Sequence, residues 1–174
     1  MTGLDETALI VPVPQAEDLV GRFRDKYDSS AAVGVPAHVT LLYPFLAPAS
    51  IRAGDLAALT TLFASTAPFD VAFTRCARFE PKVLYLEPEP AGDFLGLMHR
   101  LFERWPECPP YHGTIPRDLV RPHLTVSDSV TGDLLDRIEM AVAGRLPVRT
   151  RVTEAWLLES RDGRWSTRER FPLG

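Results

Sequence analysis

Two hydrophobic periods take turns along this chain: apolar residues at every second position, then at every third or fourth. Residues 7–13, TALIVPV, form a β-prone apolar run closed by Pro14, which predicts a strand. Residues 15–29 carry Leu19, Val20, Phe23 and Tyr27 at helical spacing. PAHVTLLYPF predicts a strand over 37–43, stopped by Pro44 and the prolines and small residues near 47–50. A second helix is expected over 55–64, with Leu56, Leu59, Leu62 and Phe63 on one face. FDVAFTRCARFE and KVLYLEP then read as strands joined by a turn at Glu80-Pro81, with Val71, Phe73 and Cys76 facing inward.

From Lys82 the order begins again. VLYLEPEP repeats the pattern of ALIVPVPQ, and 93–105 predicts a helix with Phe94, Leu97, Leu101 and Phe102 on its buried stripe. PECPPYHGTIPRDLV is too rich in proline and glycine for regular structure, and it leads to a strand at about 121–127. Residues 132–144 carry Leu134, Leu135, Ile138 and Val142 at helical spacing. RTRVTEAWLLES and RWSTRERF flank the hairpin signal Arg161-Asp162-Gly163. Each half therefore reads strand–helix–strand–helix–strand, with one closing strand in the second. The fold class is α+β, a duplicated β-α-β-α-β unit. It forms one bilobal domain over 1–174, with pseudo-repeat halves at about 7–80 and 81–174.

A chain of 174 residues is long enough to bury one core, and 45% apolar with 24% charged content is ordinary for a globular domain. The net charge of −4 excludes a global basic field for nonspecific nucleic-acid binding, so any phosphate recognition must be local. Cys76 and Cys108 are the only cysteines, unpaired in sequence, and read as reduced thiols of a cytoplasmic protein. No signal peptide and no membrane span are expected.

The chemistry lies in a phrase that occurs twice. PAHVTLLYPF holds His38-Val39-Thr40, and RPHLTVSD holds His123-Leu124-Thr125. Residues two apart on a strand share a face, so each histidine stands beside its threonine. In a duplicated unit the two pairs would occupy equivalent positions and meet across one groove. His112-Gly113-Thr114 also fits the spelling, but it lies between Pro110 and Pro116 with glycine in the middle, where no strand holds the pair on one face. A lone buried histidine bonded to a nearby threonine is the ordinary reading of either motif alone. Two matched copies in matched halves outweigh it. Zinc binding finds no third ligand at a recognisable spacing, since neither Asp128 nor Cys108 is placed for it by sequence. No G-x-S-x-G elbow, P-loop or G-x-G-x-x-G is present.

Those two motifs, their spacing and the bilobal order resemble the two-histidine (2H) phosphoesterase superfamily, which includes the 2′-5′ RNA ligases (LigT-like proteins) and cyclic nucleotide phosphodiesterases. The resemblance covers about residues 7–160. It implies a LigT-like fold, with a curved antiparallel central sheet and helices outside. It also implies metal-independent action, without cofactor, on 2′,3′-cyclic phosphates or 2′-5′ linkages of RNA or nucleotides. His38 and His123 would act as acid and base, while Thr40 and Thr125 would bind the phosphate.

Alternation puts Arg121 and Ser127 on the face of His123 and Thr125, where they are either extra phosphate contacts or a solvated strand-end arginine and a strand-terminal serine. It puts Leu42 on the face of His38, and turns Tyr43 and Phe45 towards the core. Trp105 and Tyr111 flank the proline-rich loop, where they either anchor that loop or stack on a base. The expected partner is a nucleotide or an RNA-terminal cyclic phosphate, bound by a monomer with no obligate protein partner. A second reading keeps the groove as a non-catalytic module that grips a nucleotide or RNA end.

Overall fold

The computed structural model describes residues 5–174. Among the described residues there are eight strands and five helices, one strand and one short helix more than the seven strands and four helices expected, in otherwise the expected order. The first half contains β1 (Thr7–Pro12), α1 (Glu17–Tyr27), the short α2 (Ser29–Ala32), β2 (His38–Leu42), α3 (Ala53–Ala64) and β3 (Phe69–Phe79). The second contains β4 (Val83–Glu89), α4 (Gly92–Arg104), β5 (Leu124–Ser127), α5 (Gly132–Ala143), β6 (Val148–Val152), β7 (Glu154–Arg161) and β8 (Arg164–Pro172). Local chemistry sets the helix ends. α1 carries Glu17 and Asp18 in its first turn and Arg24 and Lys26 in its last, matching the helix dipole. In α3, Asp55 accepts the Arg52 backbone N–H at 2.9 Å.

The strands form two four-stranded antiparallel sheets, ordered β2-β1-β7-β8 and β5-β4-β3-β6. Each motif strand is an edge strand beside the first strand of its own half. The third strands are exchanged: β3 completes the second sheet, and β7 with β8 completes the first. The spatial lobes therefore do not follow the division at residue 80. RTRVTEAWLLES, expected as one strand, is two. The ladder breaks at Thr153, where the chain leaves β3 and crosses to β1.

α1 and α5 pack on the second sheet, α3 and α4 on the first. A single large core joins both lobes, running from Leu9 and Val11 through Phe73, Leu84 and Leu86 to Leu124 and Val126. Trp105 belongs to this core. It is 1% exposed, stands edge-on to Phe45 at 5.2 Å, and directs its indole N–H to Asp55. The expectation that it stacks on a substrate base is therefore corrected, because the side chain is fully enclosed. Among the described residues, no helix is long and apolar enough to cross a membrane.

A buried ion pair fixes the approach to β2. Arg24 Nε donates to Asp28 at 2.8 Å, and the same guanidinium donates to the Val35 carbonyl at 3.1 Å. Asp28 also accepts the Ser30 backbone N–H and so caps α2. Glu17, on the far side of Arg24, accepts the Ala37 N–H at 2.7 Å. Residues 35–37, which deliver His38, are thus tied to α1 at both ends.

Two stability outcomes follow. Leu124→Ala empties a fully buried position and should cost ~2–5 kcal/mol in denaturant unfolding, while Thr125→Val on the groove face should stay within ~1 kcal/mol. Arg24→Met strands the Asp28 carboxylate and should cost ~3–5 kcal/mol. Adding Asp28→Asn, which keeps the cap acceptor, should recover a large part of that loss.

Candidate active site

The pleat of each motif strand sorts its residues into two sets. Val39 and Leu124 enter the core fully buried, while His38, Thr40, His123 and Thr125 remain partly exposed and line one cavity of about 580 Å³ between the sheets. His112 is absent from that set. It lies in a one-turn helix at Pro110–Gly113 with φ 56°, off any strand.

The alternation then breaks at the same place in both motifs. In β2, Ile10 pairs with Thr40 but Leu9 pairs with Leu42, leaving Leu41 as an extra residue. In β5, Tyr85 pairs with Thr125 but Leu84 pairs with Ser127, leaving Val126 extra. Each is a β-bulge, which puts two consecutive residues on the core side and returns the next one to the groove. Leu41 and Leu42 are both buried, and Tyr43 lines the cavity. Val126 and Ser127 are both buried, and Asp128 lines the cavity. Three expectations are corrected by this bulge. Leu42 leaves the His38 face, Tyr43 joins it, and Ser127 is 0% exposed with its hydroxyl unpartnered, so it makes no phosphate contact. Phe45 is in the core, as alternation implied.

Arg121 is likewise not brought to the groove. Its guanidinium donates back to the carbonyls of Asp118 and Val120. Tyr111 does reach the cavity, on a segment with φ 50°, and its hydroxyl lies against Thr40. Burial pushes that phenol up to about 12, so it remains a donor.

The two imidazoles are held alike. His38 Nδ1 is 2.7 Å from the Pro36 carbonyl, and His123 Nδ1 is 2.7 Å from the Arg121 carbonyl. A carbonyl only accepts, so in the neutral ring Nδ1 carries the proton and Nε2 keeps its lone pair. His38 Nε2 lies 3.1 Å from Thr40 Oγ1, whose hydroxyl can donate to it. Burial lowers the His38 pKa from 6.5 to about 4, with the Pro36 bond opposing and the Arg24 charge assisting. Burial also lowers His123, against the Arg121 carbonyl. Burial therefore shifts both imidazoles towards the neutral form.

Aromatic side chains that sequence reading did not assign to the site surround His123 and line the groove elsewhere. The His123 ring stands edge-on to Phe79 at 5.1 Å and to Tyr85 at 5.4 Å, and those two rings stack on each other at 4.2 Å. On the other wall, Tyr43 stands edge-on to Trp165 at 6.0 Å and donates to Glu6 at 2.6 Å. Phe79 and Trp165 carry no local signal of this role, because β3 and β8 reach the groove only through long-range pairing. Among the described residues, no three His, Cys, Asp or Glu side chains gather to hold a metal ion.

Comparison with known proteins identifies the family and the fold. The sequence model of the 2′-5′ RNA ligase superfamily matches residues 11–164. Two provisionally named phosphoesterases align over 95% of the chain. One, from Bacillus licheniformis, is 26% identical over 96% of its own length, and one from Geobacillus kaustophilus is 28% identical over 94%. The crystal structure of Escherichia coli LigT complexed with 3′-AMP superposes with a TM-score of 0.64 at 18% identity, covering 97% of this chain and 98% of that one. The match to the family model spans most of the sequence, and it shows that this chain belongs to the 2′-5′ RNA ligase superfamily of 2H phosphoesterases.

Proposed function

We propose that the protein is a metal-independent phosphodiesterase acting on 2′,3′-cyclic phosphates or 2′-5′ linkages of nucleotides or RNA. One observation carries this reading: two His–Thr pairs face a single cavity, each imidazole locked through Nδ1 so that Nε2 keeps the lone pair. The complex of Escherichia coli LigT with 3′-AMP supports a nucleotide-sized ligand. In hydrolysis, one neutral imidazole takes a proton from water at Nε2 as the water oxygen bonds to phosphorus. The bond from phosphorus to a ribose oxygen breaks, and the other imidazole, entering as imidazolium, returns a proton to that oxygen. Thr40 and Thr125 donate to the non-bridging oxygens, where charge grows in the transition state. In ligation a ribose hydroxyl takes the place of water.

The test is turnover of a 2′,3′-cyclic nucleotide panel in the presence of EDTA. Activity should survive the chelator and fall about a hundredfold or more in His38→Ala and in His123→Ala. Saturable binding without turnover would instead assign a binding module.

The pH dependence follows from the lowered histidines. Catalysis needs one ring neutral and one protonated, and both free-enzyme pKa values lie below 6.5. The protonated partner becomes scarce as pH rises, so kcat/KM should have its optimum on the acid side of 6.5 and fall between about pH 6 and pH 8. A bound phosphate anion favours imidazolium, so kcat should decline at higher pH than kcat/KM does. A kcat/KM that rises over that interval would contradict the pair.

A further inference from the structure

We propose that the groove selects a compact ester carrying a single phosphate charge on an uncharged body, and discriminates against substrates that bear a second phosphate. This rests on the phosphodiesterase reading and narrows its substrate class. The observation is the chemistry of the walls around the two histidines. The apolar lining of the cavity includes Ile10, Val35, Leu158, Trp165 and Val83, with Phe79 edge-on to His123. The charged side chains on these walls are carboxylates. Asp28 is neutralised by Arg24, but Asp128 accepts only from the Ser29 N–H and hydroxyl. At the mouth, Glu6 accepts from Tyr43 and lies 3.3 Å from His112.

Neither Arg24 nor Arg121 lines the cavity. Arg24 is spent on Asp28 and the Val35 carbonyl, and Arg121 on carbonyls of its own loop. No lysine or arginine is among the described residues that line the cavity. At the catalytic centre one phosphate charge meets two imidazoles and two threonine hydroxyls. A second phosphate farther along either wall would meet apolar surface or the Asp128 carboxylate, losing its hydration without a charged partner. An uncharged ring, in contrast, gains from burial against Trp165, Leu158 and Ile10.

The experiment compares ligands differing only in a remote phosphate. Adenosine 2′-monophosphate and adenosine 2′,5′-bisphosphate are titrated calorimetrically at matched ionic strength. In parallel, adenosine 2′,3′-cyclic phosphate and its 5′-phosphorylated form are assayed for turnover. The second phosphate should weaken binding, and lower kcat/KM, by about tenfold or more. Ile115→Lys puts a cation on an exposed position of the cavity rim (37% exposed in the parent) and should narrow the binding ratio, with thermal unfolding confirming that the variant is folded. Equal or tighter binding of the bisphosphate, or no saturable binding of either nucleotide, overturns the inference. The binding ratio is read without turnover. If the ratio holds while neither ester is hydrolysed, the phosphodiesterase reading falls and the charge selection stands.

Discussion

One extra residue after each His-x-Thr sets the shape of this site. A regular strand sends alternate residues to opposite faces without interruption. Here each motif strand must present a histidine and a threonine to the groove, then bury two consecutive side chains, then present one more. The bulges at Leu41 and Val126 satisfy that demand in the same way on both sheets. They also bend two edge strands at the point where the sheets face one another, which suits a concave site. The duplication therefore extends below element order to a single inserted position, and the groove is built from two copies of one local irregularity.

That irregularity explains what the sequence made legible and what it did not. Strands and helices were readable because period-two and period-3.6 patterns are local, and the motif pairs were readable because they lie upstream of the bulge. Tyr43 and Ser127 lie downstream of it, so alternation assigned both to the wrong face. The break at Thr153 was hidden because RTRVTEAWLLES is β-prone throughout; only the pairing partners show that β6 belongs with β3 and β7 with β1. Phe79 and Trp165 reach the groove through that same exchange of strands. Trp105 looked like a loop anchor or a stacking platform, and an apolar neighbour at Phe45 decided between them.

The polar order behind the groove is costly in isolation and coherent as a set. A buried guanidinium loses strong hydration, and the Asp28 carboxylate, the Val35 carbonyl and the Ser30 hydroxyl together replace it. The result is a rigid entry into β2. With Pro36 held there, its carbonyl fixes the His38 tautomer, and the ring enters the cavity with one defined nitrogen. On the second sheet the Arg121 carbonyl does the same for His123. Backbone carbonyls stabilise the Nδ1–H tautomer without adding a formal negative charge, so burial prevails and lowers both imidazole pKa values.

This arrangement separates reaction from selection. The reacting groups come from two backbone-fixed motifs whose geometry follows from the pleat and the bulge, so they are tied to the fold. The walls come from other strands, β1, β3, β7 and β8, whose groove-facing side chains can change without disturbing the motif carbonyls. On the proposed function, a phosphate held between the histidines would be common to any substrate the motifs attack, and what extends from it would meet a lining that includes Ile10, Leu158, Trp165 and Phe79. Family membership thus bears on the bond attacked, and these wall residues bear on the molecule that carries it.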